Sequence, residues 1–128
     1  MSLKIDGIRK LIAEDKRSSE RLKIPANVFY ASALWYPVWT GPITVDDIGG
    51  DGLRFTIAEK LEKSSRLKLK IIFPGRAIDP IVVPARIVWT KTTQDERCQI
   101  GVQFYKMNPQ DRSRYVAYIC DRILLKYL

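Results

Sequence analysis

From Pro25 to Tyr105 apolar and polar positions follow a period of two, in short runs broken by glycine, proline and charge. The first run sets Val28, Tyr30, Ser32 and Leu34 against Phe29, Ala31 and Ala33, a strand with two fairly apolar faces. Pro37, Gly41 and Pro42 separate it from a second strand, roughly Pro42 to Asp46. A glycine-dense turn, DIGGDG from Asp47 to Gly52, leads to a third, where Leu53, Phe55 and Ile57 alternate with Arg54 and Thr56. Residues 66–73 place Leu67, Leu69, Ile71 and Phe73 on one inner face. Residues 81–90 form another strand, in which Pro84 marks an edge or a bulge because it cannot donate to a ladder. After a hairpin loop from Lys91 to Arg97, residues 98–105 return with Cys98, Ile100, Val102 and Phe104 inward. The same alternation sends Trp89 into the core.

Helical spacing appears only at the two ends. Residues 3–14 align Ile5, Ile8, Leu11 and Ile12, although Gly7 weakens a helix there. Near the C-terminus Asn108 is a good N-cap, Pro109 suits the first helical position, and Asp111 favours the positive end of the dipole. Val116, Ile119, Ile123 and Tyr127 then mark an apolar stripe. About six strands without intervening helices predict a mainly β protein, an antiparallel barrel or sandwich. We expect an N-terminal helical extension over 1–15 and one β-barrel domain over 16–128, which includes a C-terminal helix at 109–127.

A chain of 128 residues suits a single core. No stretch approaches the roughly 20 apolar residues of a membrane span, and Asp6, Arg9 and Lys10 interrupt any signal-like N-terminus. A cytoplasmic protein with no direct membrane insertion is expected. There is no histidine, and the two cysteines, Cys98 and Cys120, lie in apolar segments without metal-ligand spacing. Both read as buried free thiols, with no metal site and no cofactor. An enzyme is therefore not expected. The formal charge of +8 favours an anionic partner without saying which.

Two segments are of little use to folding alone. One is RSSER, from Arg17 to Arg21, with Lys16 beside it and the first strand just after it; the other is the turn from Asp47 to Gly52. In an antiparallel barrel, segments next to neighbouring strands can converge at one rim. A guanidinium fork matches a phosphate or the O6/N7 edge of guanine. A carboxylate repels phosphate but accepts from the N–H groups of the guanine Watson–Crick edge. Glycine lets a ligand approach the backbone closely. Two arginines, one aspartate and a glycine turn suit a ligand that holds both guanine and phosphate.

With RSSER followed by DIGGDGL, the chain resembles the PilZ domain, whose pattern is RxxxR and then (D/N)xSxxG. The segments ARIVWT and QIGVQFYKM also resemble that family's last barrel strands, so the likeness covers nearly all of residues 16–106. It implies a six-stranded antiparallel barrel that binds cyclic di-GMP, a bacterial second messenger, and relays it to a protein partner. By that resemblance Arg17 and Arg21 grip phosphates and guanine edges, Asp47 meets a guanine edge, and Gly52 is the closing glycine. Gly49 stands where the motif has serine, and Asp51 replaces a commonly small residue. The missing hydroxyl removes one hydrogen bond, worth roughly 0.5–1.5 kcal/mol. The expected response is a change of order in the N-terminal segment, in a monomer or homodimer. Two rival readings stay open: a PilZ-like adaptor that no longer binds nucleotide, and a basic barrel for single-stranded nucleic acid. Trp35, Tyr36 and Trp39 around Pro37 form an aromatic loop cluster that either caps the barrel or meets a protein.

Overall fold

A computed structural model of the chain describes residues 23–34, 36–75 and 79–127, with side chains from 123 onward excepted. The expected N-terminal helix, and Lys16, Arg17 and Arg21 with it, lie outside the described residues. Six strands follow in order: β1 (Asn27–Ser32), β2 (Thr40–Ile48), β3 (Gly52–Ile57), β4 (Arg66–Ile72), β5 (Ile81–Thr92) and β6 (Cys98–Phe104). They pair antiparallel in the closed order β1-β2-β3-β6-β5-β4, which makes the fold a barrel rather than a sandwich. The alternating residues supply its core: Leu53, Phe55 and Ile57 from β3, Leu67, Leu69 and Ile71 from β4, and Ile100, Val102 and Phe104 from β6 are all buried. Cys98 and Cys120 are both buried and are not joined in a disulfide, as expected.

Three readings need correction. Pro84 is not on an edge, because a closed barrel has none; β5 lies between β4 and β6. Its carbonyl accepts the amide of Tyr105 at 3.1 Å, so its nitrogen faces the same side, just past the end of β6, where no ladder bond is lost. The second strand is longer than expected at both ends and carries Asp47 and Ile48 within it. Trp89 is not in the core: it is 38% exposed. The β5–β6 register slips between Ile87 and Trp89, so Val88 is an extra residue and the alternation changes phase there.

The helix α1 (Pro109–Tyr127) begins as expected, with the Asn108 side chain accepting the Gln110 amide at 2.8 Å. Of the expected stripe Ile119 is buried, the side chains of Ile123 and Tyr127 lie outside the described residues, and the buried face also takes in Tyr115 and Tyr118. Tyr115, Tyr118 and Ile119 cover the barrel mouth, while Val116 is only partly buried. The reason is aromatic packing with a polar handle. Tyr115 meets Phe104 edge-on at 5.1 Å and Phe73 at 6.1 Å, and its hydroxyl donates to the carbonyl of Gly49. The Gly52 carbonyl lies 3.4 Å from the same hydroxyl. One buried phenol thus pins the β2–β3 turn to the helix.

That turn closes with the Gly49 amide on the Gly52 carbonyl at 2.8 Å. Gly52 then runs so close to β6 that a Cβ there would sit 2.0 Å from the Val102 carbonyl oxygen. Neither backbone can yield without opening the β3–β6 ladder. Gly52→Ala is therefore expected to destabilise the fold by about 2–3 kcal/mol, read as a lower denaturation midpoint with an unchanged slope.

Candidate functional site

The site begins with an extra residue in β2. Val45 pairs with Phe55, but Asp47 pairs with Arg54, which leaves Asp46 as a bulge. In regular register Asp46 would face Arg54 and Asp47 would turn inward beside Leu53. The bulge instead turns both carboxylates to the outer surface. Arg54 Nε donates to Asp47 Oδ1 at 3.0 Å and to Oδ2 at 2.8 Å, and a second nitrogen of the guanidinium also bonds Oδ2. Asp47 is only 7% exposed. Hydrogen bonding to Asp47 holds Arg54 still more firmly as a cation than an ordinary arginine, against the opposing pull of its own partial burial.

Register extends this pair into a row across four strands. Arg54 stands opposite Gly101, and Gly101 stands opposite Trp89. Since Gly101 has no side chain, the guanidinium can lie over the indole, 5.7 Å from the ring centre. The neighbouring row carries Asp46, whose Oδ2 accepts from Thr56 Oγ1 at 2.7 Å and from Gln99 Nε2 at 2.8 Å. Two fixed carboxylates and a fixed guanidinium therefore share one wall. Sequence reasoning missed Asp46, Arg54 and Gln99 as site residues. Arg54 and Gln99 do sit at outward positions of the period-two pattern, but only the register shows what they face.

Lys23, Ile24 and Pro25 cross in front of this wall before β1 begins. With Val45, Asp46, Asp47, Arg54 and Gln99 they line an open cleft of about 760 Å³, within the usual range of small-molecule sites. The structure thus sets Lys23, two positions after Arg21 in sequence, at the same cleft as Asp47. Gly49 and Gly52 lie at the adjoining turn, where both carbonyls face Tyr115. Gly49 is not among the described glycines of positive φ, which are Gly41 and Gly75, so its backbone does not itself require glycine. Gly52 has a structural reason to be glycine in its approach to Val102. Among the described residues no helix is long and apolar enough to cross a membrane.

Comparison with known proteins bears on this site. No curated protein matches the sequence directly. Solved structures match the fold. The Bacillus subtilis inhibitor of motility MotI/DgrA superposes with a TM-score of 0.68 at 16% identity, over 87% of this chain and 52% of that one. YcgR from Escherichia coli in complex with cyclic di-GMP gives 0.62 at 12% identity, over 88% and 49%. The isolated PilZ domain of YcgR from Escherichia coli, also with cyclic di-GMP, gives 0.59 at 10% identity, over 88% and 96%. The chain thus spans about half the length of the first two and nearly all of the third. The sequence profile of the PilZ domain matches residues 15–120, from just before the arginine pair to the middle of α1. The chain belongs to the PilZ domain family.

Proposed function

We propose that the chain is a cyclic di-GMP sensor of the cytoplasm, not an enzyme, which binds its ligand in the cleft in front of Asp47 and signals to a protein partner. The observation that carries this reading is the cleft itself. Lys23 to Pro25, which continue the Arg17-to-Arg21 segment in sequence, line the same cleft as Asp47, and this supports one site shared by both halves of the motif. Arg17 and Arg21, with Lys16, supply the cations for two phosphates and for guanine O6 and N7. Asp47 accepts from the guanine N–H groups. Gly49 and Gly52 line the turn beside them. The fold relatives YcgR and its PilZ domain are complexes with cyclic di-GMP, and MotI/DgrA is an inhibitor of motility; each supports a regulator over a catalyst.

Arg54 acts through Asp47. A carboxylate held on one side by a guanidinium fork has a fixed plane, so its acceptor directions are set before a base arrives. We assign Arg54 as a positioning residue. Arg54→Ala is expected to lower stability by about 2–3 kcal/mol, because Asp47 is only 7% exposed and loses this cation. It should also reduce the preference for cyclic di-GMP over its adenine analogue, as Asp47→Ala should. A double-variant cycle read by calorimetry checks this: strongly non-additive losses of selectivity are expected, and additive ones would refute the positioning role.

The arginine pair is tested directly. Each guanidinium makes charge-assisted contacts of roughly 1.5–3 kcal/mol. Arg17→Ala and Arg21→Ala are each expected to weaken cyclic di-GMP binding about tenfold or more. Titration of the wild type with cyclic di-GMP, and with GTP and an oligonucleotide as controls, decides the function. No heat with cyclic di-GMP would favour the adaptor reading, for which Gly49 and Asp51 are the grounds.

The signal follows from composition. Between Asp15 and Lys23 only Leu22 is apolar, so ligand contacts are the main source of order for that segment. Trypsin has four cutting points there: Lys16, Arg17, Arg21 and Lys23. Saturating cyclic di-GMP is expected to slow those cuts and leave cuts at Lys91 and Arg97 unchanged. Equal protection at both places would indicate general stabilisation and defeat the switch.

A further inference from the structure

We propose that the barrel wall opposite the cleft, together with the β1–β2 loop, docks on an anionic lipid bilayer. Among its described residues, 33–34 and 36–39, that loop carries Leu34 at 89%, Val38 at 66% and Tyr36 at 50% exposure. Isolated exposed apolar residues are ordinary, but three at the tip of one hairpin form a patch that the core does not explain. Tyr36 and Trp39 hold the loop by an edge-on contact at 5.7 Å.

Register sets a basic wall beside this tip. Ser32 pairs with Leu67, and the Ala33 amide donates to the Arg66 carbonyl at 3.3 Å, so the Arg66 end of β4 adjoins the loop. Leu67 and Leu69 point inward, hence Arg66, Lys68 and Lys70 point outward, and Arg86 of β5 stands opposite Arg66. The Lys68 ammonium lies 5.6 Å from the Tyr36 ring centre and joins the wall to the loop. Among the described residues these four cations meet aromatic rings and no carboxylate. Lys70 lies 5.7 Å from Phe29, and Arg66 and Arg86 lie 6.0 and 5.9 Å from Tyr105.

The chemistry of the face selects its partner. Single-stranded nucleic acid binds by stacking bases on open rings, whereas Phe29 and Tyr36 each already hold one of the chain's own cations and Tyr105 holds two. Leu34 and Val38 also offer nothing to a phosphate backbone. A second copy of a chain with net charge +8 would set like charge against like. An anionic bilayer answers both halves of the surface. Its headgroup phosphates meet the cations, and the apolar tip sinks to the headgroup boundary. This is adsorption at the interface and needs no membrane span.

Flotation of the full chain with vesicles tests the proposal. The protein is expected to float with phosphatidylcholine vesicles that contain phosphatidylglycerol, not with phosphatidylcholine alone, and high salt should release it. Since each basic residue near such a surface strengthens partitioning roughly fivefold, Lys68→Glu with Lys70→Glu should reduce it at least about tenfold. Leu34→Asp with Val38→Asp should reduce it comparably without touching the basic wall. None of these residues lines the cleft, so melting temperature and cyclic di-GMP affinity, measured in parallel, should stay at wild-type values whichever way the vesicle result falls. Equal flotation with both vesicle types, no flotation with either, or full binding by the loop variant would overturn the proposal. Oligonucleotide binding lost only in the lysine variant would assign the wall to nucleic acid instead. A dimer abolished by the loop variant would assign the loop to a second copy.

Discussion

β1 hydrogen-bonds to β2 along one side and to β4 along the other, and the second ladder, from Asn27–Ile72 to Ser32–Leu67, closes the sheet on itself. Without it β1 and β4 would each expose a row of unpaired amides and carbonyls, and the inward side chains would lack an opposite wall. With it, the outward residues are freed from any part in the core and are available for chemistry. The closure also divides the outer surface. β2, β3 and β6 adjoin one another on one side, and β5, β4 and β1 on the other. Asp46, Asp47 and Gln99 lie on the first wall, and Arg66, Lys68 and Lys70 on the second.

Two added residues, one in β2 and one in β5, shape the outer surface beside the cleft. The extra residue in β2 presents two carboxylates in succession, and the extra residue in β5 turns an indole outward. Regular alternation would bury Asp47 beside Leu53 without a partner, at a cost no barrel of this size could carry. Bulges of this kind re-aim side chains next to binding sites. Here they align Asp47, Arg54, Gly101 and Trp89 in one cross-strand row, where each residue limits the freedom of the next.

Those bulges also mark the boundary of what could be read from sequence. Where strands are regular, alternation identified the inner faces correctly: Leu67, Leu69 and Ile71 in β4, and Cys98, Ile100, Val102 and Phe104 in β6. Past a bulge the phase reverses without any local signal, and Trp89 was misplaced for that reason. The pairing of Asp47 with Arg54 depends on register between strands, which composition does not encode. In α1 the buried face turned on Tyr115 and Tyr118, whose rings favour burial and whose hydroxyls favour water. The turn at Gly49–Gly52 was legible because turn chemistry is local, whereas Asp47 lies within β2 and its direction is set by the bulge. The expected places of Lys16, Arg17 and Arg21 rest on the resemblance and on the cleft that Lys23 lines.

The wall behind the cleft and the turn that adjoins it are both held by contacts within the fold. The turn from Gly49 to Gly52 is held from below by the Tyr115 hydroxyl and from the side by the close passage of Gly52 past Val102. Asp46 is fixed by Thr56 and Gln99, and Asp47 by Arg54. A ligand therefore meets groups whose directions are already set, and little of its binding free energy is spent on ordering them. Fixed groups of this kind favour one hydrogen-bonding edge over another, because an acceptor that cannot turn is a poor partner for the wrong edge. They are weak transmitters of motion for the same reason. Any conformational response is then expected from chain outside the barrel wall, and Lys23, which lines the cleft, is covalently continuous with the segment that carries Arg17 and Arg21.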